Sequence, residues 1–134
     1  MPQAAGFAGR RITASTGVAA RQMVEDGQRI TDPHAWQDPR NGVLYVQAIA
    51  AGLAATLPGR AAAIKARAEA YIAQIVETDR WIAATLQAIP KPARRILTSH
   101  DAFGYYGARY GIALLSVQGI STESEPSARE PCSP

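Results

Sequence analysis

Three observations predict a helix-rich α/β chain with a partial parallel sheet. An apolar stripe of helical period follows Asp38-Pro39 and stops at Pro58-Gly59. A second, longer helical stretch runs from about Arg60 to Ala88 and is stopped by Pro90 and Pro92. Two short apolar runs, Arg95 to Thr98 and Ile112 to Gln118, then flank one more helical stretch, a strand–helix–strand pattern.

Residues 1–31 are rich in Gly, Ala and polar side chains. Arg11 to Ser15 reads as a short strand, and Glu25-Asp26-Gly27-Gln28 as a turn. Asp38-Pro39 is a sharp helix start. The aspartate caps free backbone N–H groups, and proline fits the first helical position because its missing donor would be unpaired anyway. Val43, Val46, Ala50, Leu53 and Leu57 follow at steps of three and four. Ile64, Ala68, Tyr71, Ile75, Ile82, Leu86 and Ile89 mark the face of the longer helix, with Asp79 interrupting it. About 29 residues at 1.5 Å each span roughly 43 Å, long for so small a chain. Asp101 to Tyr110 is predicted to be a short helix, with Phe103, Tyr106 and Tyr110 on one face and Gly111 at the left-handed cap position. The strands on either side should be parallel, with a right-handed crossover. From Ser121 onward all periodicity is lost, and mobility is expected there.

A chain of 134 residues fits one ordinary domain. Its hydrophobic fraction is 47%, but much of that is alanine, which favours helix and buries little area, so a thin core is expected. The net charge of +3 is mild. No dense Lys/Arg cluster interleaved with aromatics argues for nucleic-acid binding. No apolar run approaches the length needed to cross a bilayer. Met1 to Val18 carries Arg10 and Arg11 without a following apolar region, so it does not read as a secretory signal. Cys132 is the sole cysteine, which leaves no partner for an intramolecular disulfide.

The two histidines lie at junctions, where side chains from different elements converge. His34 stands in Asp32-Pro33-His34-Ala35-Trp36-Gln37-Asp38-Pro39, just before the first helix, with Trp36 able to pack under the loop. His100 stands in Thr98-Ser99-His100-Asp101-Ala102-Phe103-Gly104-Tyr105-Tyr106, at the carboxyl end of a strand, where open α/β sheets gather ligands. Neutral imidazole is a common ligand for zinc and suits other transition metals. The bland alternatives are a histidine hydrogen-bonded at a helix start and a histidine kept neutral by a helix dipole. Asp32 and Asp38 read as turn and cap residues. Asp101 reads as a helix N-terminal acid that could also orient His100. Glu123 and Glu125 read as solvated loop acids that could otherwise approach a metal.

Together the two histidine blocks resemble the solute-binding receptors of zinc and manganese ABC transporters. Asp32 to Asn41 looks like that family's motif around one metal-binding histidine, and Ile96 to Tyr110 like the motif around another ligand. Gly119 to Ala128 is similar to the loop that follows, and Arg11 to Val18 faintly resembles the end of the N-terminal lobe. The resemblance implies His34 and His100 as metal ligands, Zn2+ or Mn2+ as the transported ligand, a membrane ABC permease as partner, and a periplasmic or extracytoplasmic location. It implies no enzyme.

Members of the family have two α/β lobes joined by a long helix, and take further ligands from both lobes. The chain would then be a fragment. Residues 1–37 would be a remnant of the N-terminal lobe with a metal-ligand loop, and 38–89 two helices including the interlobe helix. Residues 90–123 would be the start of the C-terminal lobe, and 124–134 a disordered tail. Pro131-Cys132-Ser133-Pro134 does not resemble the helix expected at that place. Three other readings stay open: a remnant without transport function, a small metal-dependent enzyme using His34 and His100, and a helical interaction module. No serine or cysteine nucleophile motif accompanies the histidines to support the enzyme.

Overall fold

The computed structural model describes residues 9–25 and 27–116. Its first element is a hairpin that the residue pattern did not announce. Strands β1 (Gln22–Glu25) and β2 (Gln28–Thr31) pair antiparallel, with Met23 opposite Ile30 and Glu25 opposite Gln28. The expected turn is where the chain reverses, and Gly27 takes a φ of 75° there, a conformation that suits a residue without Cβ. Four-residue strands with Met23 as their one buried side chain are too short to register as alternation. The strand expected at Arg11 to Ser15 is absent. That stretch leads into a turn, in which the Thr16 N–H donates to the Thr13 carbonyl at 3.2 Å. Ile12 instead lies against Gly52, where a Cβ would collide with it.

Helix α1 (Pro39–Thr56) starts as expected. The Asp38 carboxylate accepts from the Arg40 N–H at 2.9 Å, and Pro39 occupies the first turn. A short turn at Pro58–Arg60 separates it from α2 (Ala61–Gln87), 27 residues long. The two helices form an antiparallel hairpin, with Gly42 of α1 facing the Ile75 side chain of α2. No residue of α2 is fully buried.

Strand β3 (Arg95–Thr98) and strand β4 (Ala113–Ser116) pair in parallel, with Ile96 opposite Leu114. Helix α3 (Gly104–Tyr110) connects them and ends on Gly111 at a φ of 68°. It is shorter than the predicted Asp101–Tyr110. The Ala102 N–H and the Thr98 hydroxyl both donate to the His100 carbonyl, at 3.1 and 2.9 Å, which holds the preceding residues in a turn. Asp101 therefore lies before the helix rather than in its first turn.

The buried apolar residues are Met23, Ala35, Ala102, Tyr105, Tyr110 and Ile112. They come from the hairpin, the turn after His34 and the α3 unit, so the core sits where the two histidine blocks meet. Among the described residues no helix is long and apolar enough to cross a membrane. The expectations placed on Ser121 onward, including Glu123, Glu125 and Cys132, lie outside the described residues.

Candidate metal centre

His34 is placed by the turn between β2 and α1. Asp32, 5% exposed, accepts from the His34 backbone N–H at 2.9 Å through Oδ1. Proline at 33 contributes a restricted φ, and an aspartate that accepts the N–H two residues on is an Asx-turn. The same Oδ1 lies 3.0 Å from Nδ1 of the His34 ring. After His34 a single 3-10 turn, Ala35–Gln37, leads to the Asp38 cap. Asn41 stitches this turn to α1 by donating to the Ala35 carbonyl at 2.8 Å. Trp36 does not pack under the loop as the sequence suggested. It is 58% exposed, with its ring edge-on to His34 at 5.4 Å.

His100 leaves the carboxyl end of β3, two residues past Thr98. Its Nδ1 lies 3.5 Å from the Ser99 hydroxyl, at the limit of a hydrogen bond. No hydrogen bond joins it to Asp101 among the described residues, so the orienting role suggested for Asp101 is not realised there.

The two rings, 66 positions apart in sequence, face one another with centroids 6.2 Å apart and planes tilted by 54°. At about 2.0–2.1 Å per metal–nitrogen bond, two imidazoles on one tetrahedral ion have centroids roughly 5 Å apart. The observed 6.2 Å is wider than that by about 1 Å, so the rings are neighbours that must draw closer to share a tetrahedral ion. Among the described residues, no group of three or more His, Cys, Asp or Glu could hold a metal ion. The nearby cavity of about 370 Å³, lined by Arg21, Thr98, Asp101, Gly104 and Leu114 among others, includes neither histidine.

Two supports of this arrangement were missed from sequence. The first is the link between the hairpin and α3. The Arg21 N–H donates to the Tyr105 hydroxyl at 2.8 Å, and the Asp32 N–H donates to the Arg21 carbonyl at 2.9 Å. The second is a clasp from α2 to α3. Asp79 accepts from Arg109 Nε at 3.0 Å and from the Tyr110 hydroxyl at 2.7 Å, and pairs with the second Arg109 nitrogen. The Arg109 hydrogen bonds hold the Asp79 carboxyl below its ordinary pKa of 3.8, against the opposing effect of burial. Burial, and then the bond to Asp79, push the Tyr110 hydroxyl well above the usual tyrosine range. The signal for this clasp was the interruption of the α2 stripe by Asp79, since a charge on an inward face needs a partner.

The sequence matches the family described as zinc-uptake complex component A, periplasmic, over residues 3–131. The chain belongs to that family. It is 34% identical over 119 residues to the zinc-binding protein TroA of Treponema pallidum, covering 84% of this chain and 39% of TroA. It is 30% identical over 114 residues to the manganese-binding lipoprotein MntA of Bacillus subtilis, covering 84% of this chain and 37% of MntA. A solved TroA structure superposes with a TM-score of 0.77 at 35% identity, over 85% of this chain and 42% of that one. A zinc-bound AdcAII variant of Streptococcus pneumoniae gives 0.73 at 30% identity, over 87% and 44%. The chain thus spans about two fifths of these relatives' length. The helix-rich α/β class, with its long helix and small parallel sheet, is theirs over the shared part.

Proposed function

We propose that this chain carries part of a capture site for a divalent transition metal, zinc or manganese, in a receptor that delivers the ion to a membrane ABC permease outside the cytoplasm. His34 and His100 are the ligands. The observation that carries the reading is the pair of imidazoles 6.2 Å apart, contributed by two junctions that share no local sequence. The relatives named for zinc and manganese support the choice of ion, and the family description supports a periplasmic setting. In this reading residues 38–89 are the helical spacer between lobes, and 90–123 begin the second lobe. The ion is cargo, enclosed by ligands of both lobes and released on docking. Two imidazoles suit zinc better than manganese, which prefers carboxylate oxygen.

Capture is favoured over catalysis by the surroundings of His100. A histidine that activates a nucleophile needs a close hydroxyl or thiol and a group that orients the ring. Ser99 is 3.5 Å away, and no carboxylate supports the ring among the described residues.

Calorimetric titration of the 134-residue chain with Zn2+ and Mn2+ tests the proposal. Binding far weaker than that of a full-length receptor is expected, because a closed zinc site takes four ligands and two are in place. His34→Ala and His100→Ala should each abolish it. Binding that survives both substitutions would remove the ligand assignments, and no binding at all would favour a remnant without transport function.

A further inference from the structure

Asp32 and Gly104 join the two halves of the candidate site through one carboxylate. Asp32 is nine-tenths buried, yet both of its hydrogen bonds to His34 go through a single oxygen, Oδ1. The other oxygen, Oδ2, points at the first residue of α3. A Cβ built on Gly104 would come within 2.9 Å of it, closer than real Cβ contacts allow. Gly104 follows His100 by four residues, so the segment that carries one histidine presses on the carboxylate that holds the other. The backbone of Asp32 is anchored in the same direction, through Arg21 to the Tyr105 hydroxyl of α3.

A carboxylate can only accept, so the nitrogen facing it must carry the hydrogen. We infer that Asp32 is a positioning residue which fixes His34 with its hydrogen on Nδ1 and its lone pair on Nε2, and that Gly104 is the notch that lets α3 hold Asp32 there. This deepens the capture reading and rests on it for its purpose, though not for its test. Imidazole in water otherwise favours the hydrogen on Nε2, which would leave that nitrogen without a lone pair for metal. A ligating histidine whose other nitrogen is held by a carboxylate is fixed in ring orientation, and losing such a partner costs about 10–100-fold in metal affinity.

The experiment is long-range proton–nitrogen NMR of the His34 ring in the metal-free chain, paired with a zinc titration. The unsubstituted chain should show the Nδ1–H form. Asp32→Ala should move the ring to Nε2–H and weaken zinc binding by about 10–100-fold. Asp32→Asn keeps an acceptor oxygen at the same place, and should retain the Nδ1–H form and much of the affinity. Gly104→Ala should shift the ring part of the way. The backbone amide spectrum of each variant separates a local change from unfolding, and Asp32→Asn keeps the test alive should Asp32→Ala unfold. An Nε2–H form in the unsubstituted chain, or Nδ1–H persisting in folded Asp32→Ala, overturns the proposal. An unchanged ring and affinity in Gly104→Ala overturns the link to α3. If His34→Ala leaves zinc affinity intact, the capture reading fails, while the ring form still decides whether Asp32 positions His34.

Discussion

The helical hairpin and the small unit around the histidines are built on opposite plans. The hairpin of α1 and α2 holds 18 and 27 residues, about a third of the chain, and supplies none of the buried apolar side chains among the described residues. Tyr71 and Trp81 are 55% and 66% exposed on it. The unit made of β1–β2, the His34 turn and α3 with its flanking residues is smaller, yet it contains every buried apolar residue among the described residues and the buried carboxylate of Asp32. Alanine-rich helices gain from propensity and are stabilised by packing one shallow face against each other, which leaves most side chains partly exposed. Two imidazoles from distant segments can be held at one distance only by packing and hydrogen bonds. The hairpin supplies length, and the small unit supplies position.

The sharpest way to break this contrast is to make one substitution in both regions. A Cβ on Gly107 of α3 would meet the Ile112 carbonyl at 2.8 Å and the Leu114 side chain at 3.0 Å, and the backbone carbonyl cannot yield cheaply. Gly107→Ala should destabilise by about 3 kcal/mol, in the range of overpacked cores. Gly59, in the turn between the long helices, has nothing within 4 Å of the same position. Gly59→Ala should change stability by no more than about 0.5 kcal/mol. Equal losses in urea unfolding would show that the two regions are not built differently.

The next effect should come from the clasp that joins them. Asp79→Asn exchanges a carboxylate that accepts from Arg109 and Tyr110 for a neutral amide, and should cost about 2 kcal/mol. Because the folded pKa of Asp79 is lowered, its contribution is fully present above the ordinary value of 3.8 and is lost as pH falls through the folded value. Stability of the unsubstituted chain should therefore drop more steeply than that of Asp79→Asn on acidification below pH 3.8. Parallel acid limbs in thermal melts would mean that Asp79 is not bound to Arg109 in solution. The smallest effect belongs to the outer face of the hairpin. Trp81→Ala should leave stability within about 0.5 kcal/mol and the His34 ring signals unmoved.

The two long helices were legible in the sequence almost to the residue, though their pairing as a hairpin was not. Asp38-Pro39 and Pro58-Gly59 act on their own backbone, and helical period needs only near neighbours to show. The strands of the parallel unit and Gly111 were legible for the same reason. The β1–β2 hairpin was not, because four-residue strands carry too little pattern. Nor was the true start of α3, since the turn at Ala102 depends on the Thr98 hydroxyl reaching the His100 carbonyl.

Local chemistry alone therefore determined the two long helices, the turn at Gly27, the cap at Asp38 and the two junctions that carry histidine. An Asx-turn at Asp32 was readable in the same way, because its bond spans two residues. Only the tertiary structure decided that His34 and His100 stand 6.2 Å apart. It alone placed Asp32 against Gly104, and Asp79 between Arg109 and Tyr110. These contacts close loops of tens of residues, and each loop's entropy cost is met by packing elsewhere in the molecule. No window of sequence contains both sides of such a contact.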